Sequence, residues 1–298
     1  MTLENPAPRF GVALTTVGRW DELSLLLEDL AGQSEPPAAV AIAHHCAVGN
    51  PPALDALLQR FAGVLMIRTV FSPSGVSNGR NAAAEILGDD VDWLWFPNDT
   101  SRIDADFFER VAHYCRPPRN VVALQLADRQ GPRNPLPARG SPLTRRNVWG
   151  AMEPATLFRR NEFLAAGGFD TNRGSGAHSP WQAGEGTDLL LRLSERDGFS
   201  IEWISDIVVR AQTEFAHLSS DERRRKLRNY GRGAGNVLRT WRYPLWYKAA
   251  HLLAAALMPL RNPEKFTGRD ALALLIGRTE GVLGRPFSGR SDHRAILR

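Results

Sequence analysis

Apolar residues in this chain come in short runs, separated by stretches with helical spacing. Residues 10–16, FGVALTT, read as a buried strand. Leu23, Leu26, Leu27 and Leu30 then share one helical face within residues 21–30, and Gly32 is a stop signal. Residues 38–43 predict a second strand, Pro51 and Pro52 open a helix to about residue 61, and residues 64–70 predict a third strand. A glycine-containing turn at 75 runs into a helix to 87, and residues 93–96 predict a fourth strand. This alternation predicts an α/β fold with a mostly parallel sheet flanked by helices.

The pattern loosens after residue 107. A helix is expected over 103–113, strands over 121–126, 152–158 and 201–209, and helices over 161–166 and 188–196. Residues 128–147 are rich in Pro, Gly and Arg and read as a long surface loop. Beyond residue 216 the composition changes. Residues 223–242 hold eight Lys or Arg and no acid, and residues 243–260 are apolar and aromatic. Two regions are expected: an α/β domain over 1–215 and a basic, apolar, helical C-terminal extension over 216–298.

The 298 residues carry a net charge of +5, which suits an anionic partner. No nucleic-acid-binding motif or basic-aromatic interleaving is present, so nucleic acid is not expected. Cys46 and Cys115 form neither a zinc spacing nor a disulfide framework, which suits a reducing cytosol. Residues 1–9 have no apolar run, so no signal peptide is expected. No run of about 18 apolar residues exists, so no membrane span is expected.

Candidate chemistry sits at strand ends. Asp99 closes the run Trp93-Leu94-Trp95-Phe96-Pro97-Asn98-Asp99-Thr100. In an α/β protein that is the carboxyl end of a strand, where ligands bind. A carboxylate there can hold a divalent cation against a phosphate; an Asn-Asp turn capping the next helix is the alternative. Glu185 and Asp188 are three apart near a helix start and share a face. Dipole complementation is their alternative role, and Asp188 is four residues from Arg192 and can pair with it.

Four segments carry a family resemblance: Thr16-Val17-Gly18-Arg19, Gly75-Val76-Ser77-Asn78-Gly79-Arg80-Asn81, Phe96-Pro97-Asn98-Asp99-Thr100, and Gly184-Glu185-Gly186-Thr187-Asp188-Leu189-Leu190-Leu191-Arg192. In this order and spacing the chain resembles the family 2 glycosyltransferases, over roughly residues 9–240. Gly231-Arg232-Gly233-Ala234-Gly235 also resembles a stretch that follows the catalytic domain in bacterial members. The resemblance implies a GT-A-like (Rossmann-like) fold. It implies inverting transfer of a sugar from a nucleotide-diphosphate sugar to a cell-envelope polysaccharide or glycolipid acceptor. It assigns donor binding to Thr15, Thr16, Arg19, His44, Arg80, Asn98 and Asp99, and catalysis to Glu185 and Asp188. It assigns acceptor binding to His178 and Trp181. As histidines, His178 and His217 are also candidate ligands or bases, with a structural role the alternative. Asp99 is the implied ligand of a weakly bound Mn2+ or Mg2+.

The chain departs from the family where chemistry occurs. The family's central metal-motif aspartate is usually flanked by aspartates; here the flanks are Asn98 and Thr100. Neutral oxygens hold a hard cation less firmly than carboxylates do. Ala43-His44-His45-Cys46 stands where the family has a base-recognising aspartate, and Gly186 stands where it has the catalytic base. An active transferase with a rearranged site is expected. The alternative is a degenerate relative that binds nucleotide, glycan or a protein partner without turnover. The basic and apolar extension adds an expected anionic membrane surface, with the protein peripheral at the cytoplasmic face of the cell membrane.

Overall fold

The computed structural model describes residues 7–213, 215 and 218–287, which divide into two units. The first contains residues 7–74, 78–169 and 189–213; the second contains 75–77, 170–188, 215 and 218–287. Among the described residues, no helix is long and apolar enough to cross a membrane.

The first unit holds an eight-stranded sheet. Phe10–Thr15 (β1), Ala39–His44 (β2), Ile67–Phe71 (β3) and Trp93–Trp95 (β4) are all parallel, in the order β3-β2-β1-β4. Thr156–Arg159 (β7) runs antiparallel to both β4 and Val121–Asp128 (β5). Gly131–Pro132 (β6) and Ile201–Arg210 (β8) both pair with β5, β8 in parallel. The fold class expected from the alternating pattern is the one observed.

The helices of this unit are amphipathic or short. Trp20–Ala31 (α1) buries the predicted Leu23, Leu26, Leu27 and Leu30. Pro52–Arg60 (α2) starts on its prolines, as expected. Val76–Ile86 (α3) and Glu185–Ser194 (α6) each begin in the second unit and continue in the first. Phe107–Ala112 (α4) and Arg160–Ala165 (α5) are short. The core contains Trp95 at 4.9 Å from Phe107, and the quartet Phe96, Phe158, Phe163 and Phe169. Tilted and edge-on ring pairs of this kind add to the burial of their area.

Among the predicted bounds that move, three do so for evident local reasons. The helix expected from 103 starts at Phe107, because Arg102 forms a bridge with Arg210 and the Ile103 N–H donates to Asp29. The strand expected from 64 starts at Ile67, because Val64 and Leu65 bond back to Phe61. The strand expected from 152 starts at Thr156, after a 3-10 turn over Glu153–Ala155 that contains Pro154. The loop over 128–147 is braced, with the Trp203 indole donating to Ser141 O and Asn134 donating to Trp149 O.

The second unit carries the C-terminal helices Ser220–Thr240 (α7), Leu245–Ala256 (α8), Met258–Arg261 (α9) and Gly268–Leu283 (α10). Capping boxes at Ser219 with Glu222 and Thr267 with Asp270 satisfy the first N–H groups of α7 and α10. Glycines on both helices let the two backbones approach. A Cβ at Gly231 would meet Leu274 O, and one at Gly281 would meet Asn236 N at 2.6 Å. Between them Glu280 is fully buried against Arg228 and Arg232. Burial alone would raise the Glu280 carboxyl; hydrogen bonds from Arg228, Arg232 and the Phe287 N–H outweigh it and hold the pKa down to about 2.

Candidate functional site

The strand order reverses at β1. The chain passes outward from β1 to β2 and β3, then returns to β4 on the other side of β1. The carboxyl ends of β1 and β4 therefore flank a topological switch point, the place where open α/β sheets bind ligands. Thr16 follows β1 and Asp99 follows β4. Thr16 Oγ1 donates to Asp99 Oδ2 at 3.1 Å and accepts the Gly18 N–H at 3.2 Å. Arg19 Nη1 lies 3.6 Å from Asp99 Oδ1, and the Arg19 side chain stays 48% exposed. Asp99 is buried, and that burial raises its pKa against the opposing pull of Arg19 and Thr16.

The other first-unit candidates border this point. Arg80 on α3 donates to Asn98 Oδ1 at 3.2 Å and stacks over Phe169, 5.6 Å from the ring centre. It is only 3% exposed. Thr15 ends β1 beside Gly79; its Oγ1 is buried and makes no hydrogen bond among the described residues. His44 ends β2, is buried, and accepts the Cys46 N–H on Nδ1 at 3.3 Å.

A cation would find one carboxylate here. Both oxygens of Asp99 are engaged, and the described residues hold no group of three His, Cys, Asp or Glu able to bind a metal ion. These side chains by themselves do not make a metal centre.

The second-unit candidates form their own cluster. Glu185 and Asp188, at the start of α6, are both buried. Asp188 Oδ1 accepts the Trp241 indole N–H at 3.0 Å and lies 3.8 Å from Arg173 Nε. Arg173 is itself held by Asp170 at 3.2 Å and donates to Thr240 Oγ1 at 3.0 Å. Arg192 donates to the carbonyl oxygens of Ala166 and Gly168. Gly174 adopts φ +97°, and a Cβ there would meet Val76 at 2.6 Å and the Glu185 carboxyl carbon at 3.1 Å. A glycine is required at this position on both counts.

His178 is exposed and Trp181 half-buried in the loop that precedes α6. Buried Gln182 laces this loop: its Oε1 accepts the Gly176 N–H, and its Nε2 donates to Ala177 O and Ser179 O. Sequence reasoning did not single out Arg173, Gln182 or Trp241. Only Arg173 carries a signal of its own, a cation beside the glycine-rich loop. His217 lies outside the described residues.

No family model and no curated protein sequence matches the chain. Solved structures do match it. The fold is GT-A-like. Mannosyltransferase PcManGT from Pyrobaculum calidifontis, in complex with GDP-Man and Mn2+, has a TM-score of 0.60 at 13% identity, over 94% of this chain and 88% of its own. Residues 1–349 of S. aureus TarS give 0.55 at 13% identity, over 94% and 93%. The same protein in complex with UDP-GlcNAc gives 0.54.

Proposed function

We propose that this chain is an inverting glycosyltransferase of the bacterial family 2 type. It moves a hexosyl or deoxyhexosyl group from a nucleotide-diphosphate sugar to a cell-envelope polysaccharide or glycolipid at the cytoplasmic membrane face. The observation that carries this reading is buried Asp99 at the β1/β4 switch point, contacted by Thr16 and Arg19. Support comes from a fold shared with proteins solved with UDP-GlcNAc and GDP-Man.

Donor binding is assigned to Thr15, Thr16, Arg19, His44, Arg80, Asn98 and Asp99. The half-exposed Arg19 guanidinium meets the diphosphate as its charge grows. The anomeric carbon loses its bond to the diphosphate oxygen as the acceptor oxygen bonds to its opposite face. The acceptor hydroxyl proton passes to a carboxylate, and the nucleoside diphosphate leaves. Glu185 is assigned as that base. Asp188 is held by the Trp241 indole and lies beside Arg173, so its carboxylate is already engaged. Trp181 and His178 are assigned to the acceptor, the indole offering a face to a sugar ring. Asp99 would be the residue to hold a weakly bound Mn2+ or Mg2+, which would supply positive charge to the departing diphosphate.

A second reading, a GT-A-like protein that binds without turnover, is favoured by Gly186, which cannot accept a proton. A panel of nucleotide sugars, with membrane extract as acceptor source, separates the two. Release of nucleoside diphosphate supports the transferase. Saturable binding with no release supports the binder, and neither outcome with any donor refutes both.

A further inference from the structure

The C-terminal helices carry an apolar surface that points away from their own packing. Helix α8 rests on α10 through Ala255, fully buried, with Arg278 of α10 donating to the His251 carbonyl. Its exposed residues are Leu245, Trp246, Ala249, Ala250, Leu253 and Ala256. They recur at three- and four-residue intervals, so they share one face. Leu245 is 82% exposed, Trp246 57% and Leu253 58%, and Leu260 in α9 adds another at 80%. A helix on a water-facing surface normally turns its polar side outward. This one exposes Leu245 and Leu253 and half-buries its lysine and histidine.

The charges along this segment are mostly positive. Residues 241–269 hold Arg242, Lys248, Arg261, Lys265 and Arg269 against the single acid Glu264. We infer that the exposed face of α8 and α9 lies in the headgroup region of an anionic lipid bilayer, with its leucines and Trp246 inserted and its cations on the phosphates. Interfacial helices combine an apolar face with flanking Lys and Arg, and Trp prefers headgroup depth. A second copy of the chain fits less well. A two-fold contact through this face sets the same cations against their own images.

Part of the arginine run of α7 is already engaged within the protein. Arg228 and Arg232 are committed to buried Glu280, Arg224 pairs with Asp221, and Arg223 lies 3.5 Å from Asp270. The inference rests on the reading of an envelope acceptor only for its biological sense. Its test reads vesicle binding and not sugar transfer, so either can fail alone.

The test is co-sedimentation of the full chain with phosphatidylcholine vesicles, with and without phosphatidylglycerol. The chain is expected to sediment with the phosphatidylglycerol vesicles, and less so as salt rises. Replacing Leu245, Leu253 and Leu260 together by serine should weaken partitioning at least about tenfold, with an unchanged melting curve because all three are exposed. A second variant, Arg242→Glu with Arg261→Glu, should lose the preference for the anionic lipid. The inference is overturned if the wild type stays in the supernatant or if either variant sediments like wild type. It is also overturned if the wild type ignores vesicles and instead forms a dimer that the serine variant abolishes.

Discussion

Asp188 and Glu185 sit one turn apart on α6, and the fate of Asp188 is fixed by its donors. The Trp241 indole and the Arg173 guanidinium occupy its carboxylate, while Gly174 keeps side-chain bulk off the Glu185 carboxyl. Glu185→Gln should lower kcat by about 10² to 10⁴. Asp188→Asn keeps an oxygen for Trp241 and should cost far less in rate. Steady-state turnover at saturating donor checks both; an active Glu185→Gln beside a dead Asp188→Asn would reverse the roles.

Asp99 makes a separate prediction about pH. Burial raises its pKa above the ordinary value of 3.8. The folded chain therefore binds this proton more tightly than the unfolded chain. Its contribution to stability is fully present below the unfolded pKa and is lost as pH rises through the folded one. Asp99→Asn removes that dependence. Urea unfolding between pH 4 and 8 should show the variant gaining on wild type as pH rises; a gain on acidification would contradict the sign.

At the scale of elements, the contact between α7 and α10 depends on glycine. A Cβ at Gly277 would collide with the Arg228 carbonyl oxygen. Gly277→Ala should destabilise the chain by about 1–3 kcal/mol, although alanine is the better helix former. Thermal unfolding reads the balance, and a raised Tm would mean the backbones separate at no cost. This packing was not legible in the sequence. Gly231, Gly233 and Gly235 look like helix breakers until a partner helix some forty residues later gives them a purpose.

The strands β1, β2 and β4 were legible because buried parallel strands read as continuous apolar runs. So was the place of Asp99 just past a strand, because that strand ends in a proline and a polar cluster. Pairings made across long stretches of chain were not. Arg192 reaches the carbonyls at 166 and 168, and Trp241, a donor to Asp188, comes from 53 residues further along. Gln182 resembles any loop glutamine, and nothing in its neighbours announces that it is buried.

Across the whole molecule, acid should act through Glu280. Its pKa of about 2 lies below the ordinary 4.5, so its stabilisation is present above 4.5 and lost as pH falls toward 2. That gap corresponds to about 3 kcal/mol. Glu280→Gln leaves Arg228 and Arg232 buried without their counter-charge and should cost about 3–5 kcal/mol at pH 7. Its unfolding free energy should also be flatter with pH below 4.5 than that of the wild type. Parallel acid limbs in the two proteins would remove Glu280 as the cause.

The assignment of donor binding to the β1/β4 switch point stands or falls on calorimetric titration of nucleoside diphosphates and their sugars. The wild type should bind at least one saturably. Arg19→Ala should weaken that affinity about tenfold, the loss of one charge-assisted contact. Manganese alone should give no tight site, and any tightening it brings to the nucleotide should vanish in Asp99→Asn. Absence of nucleotide binding, or equal affinity in wild type and Arg19→Ala, would contradict the assignment.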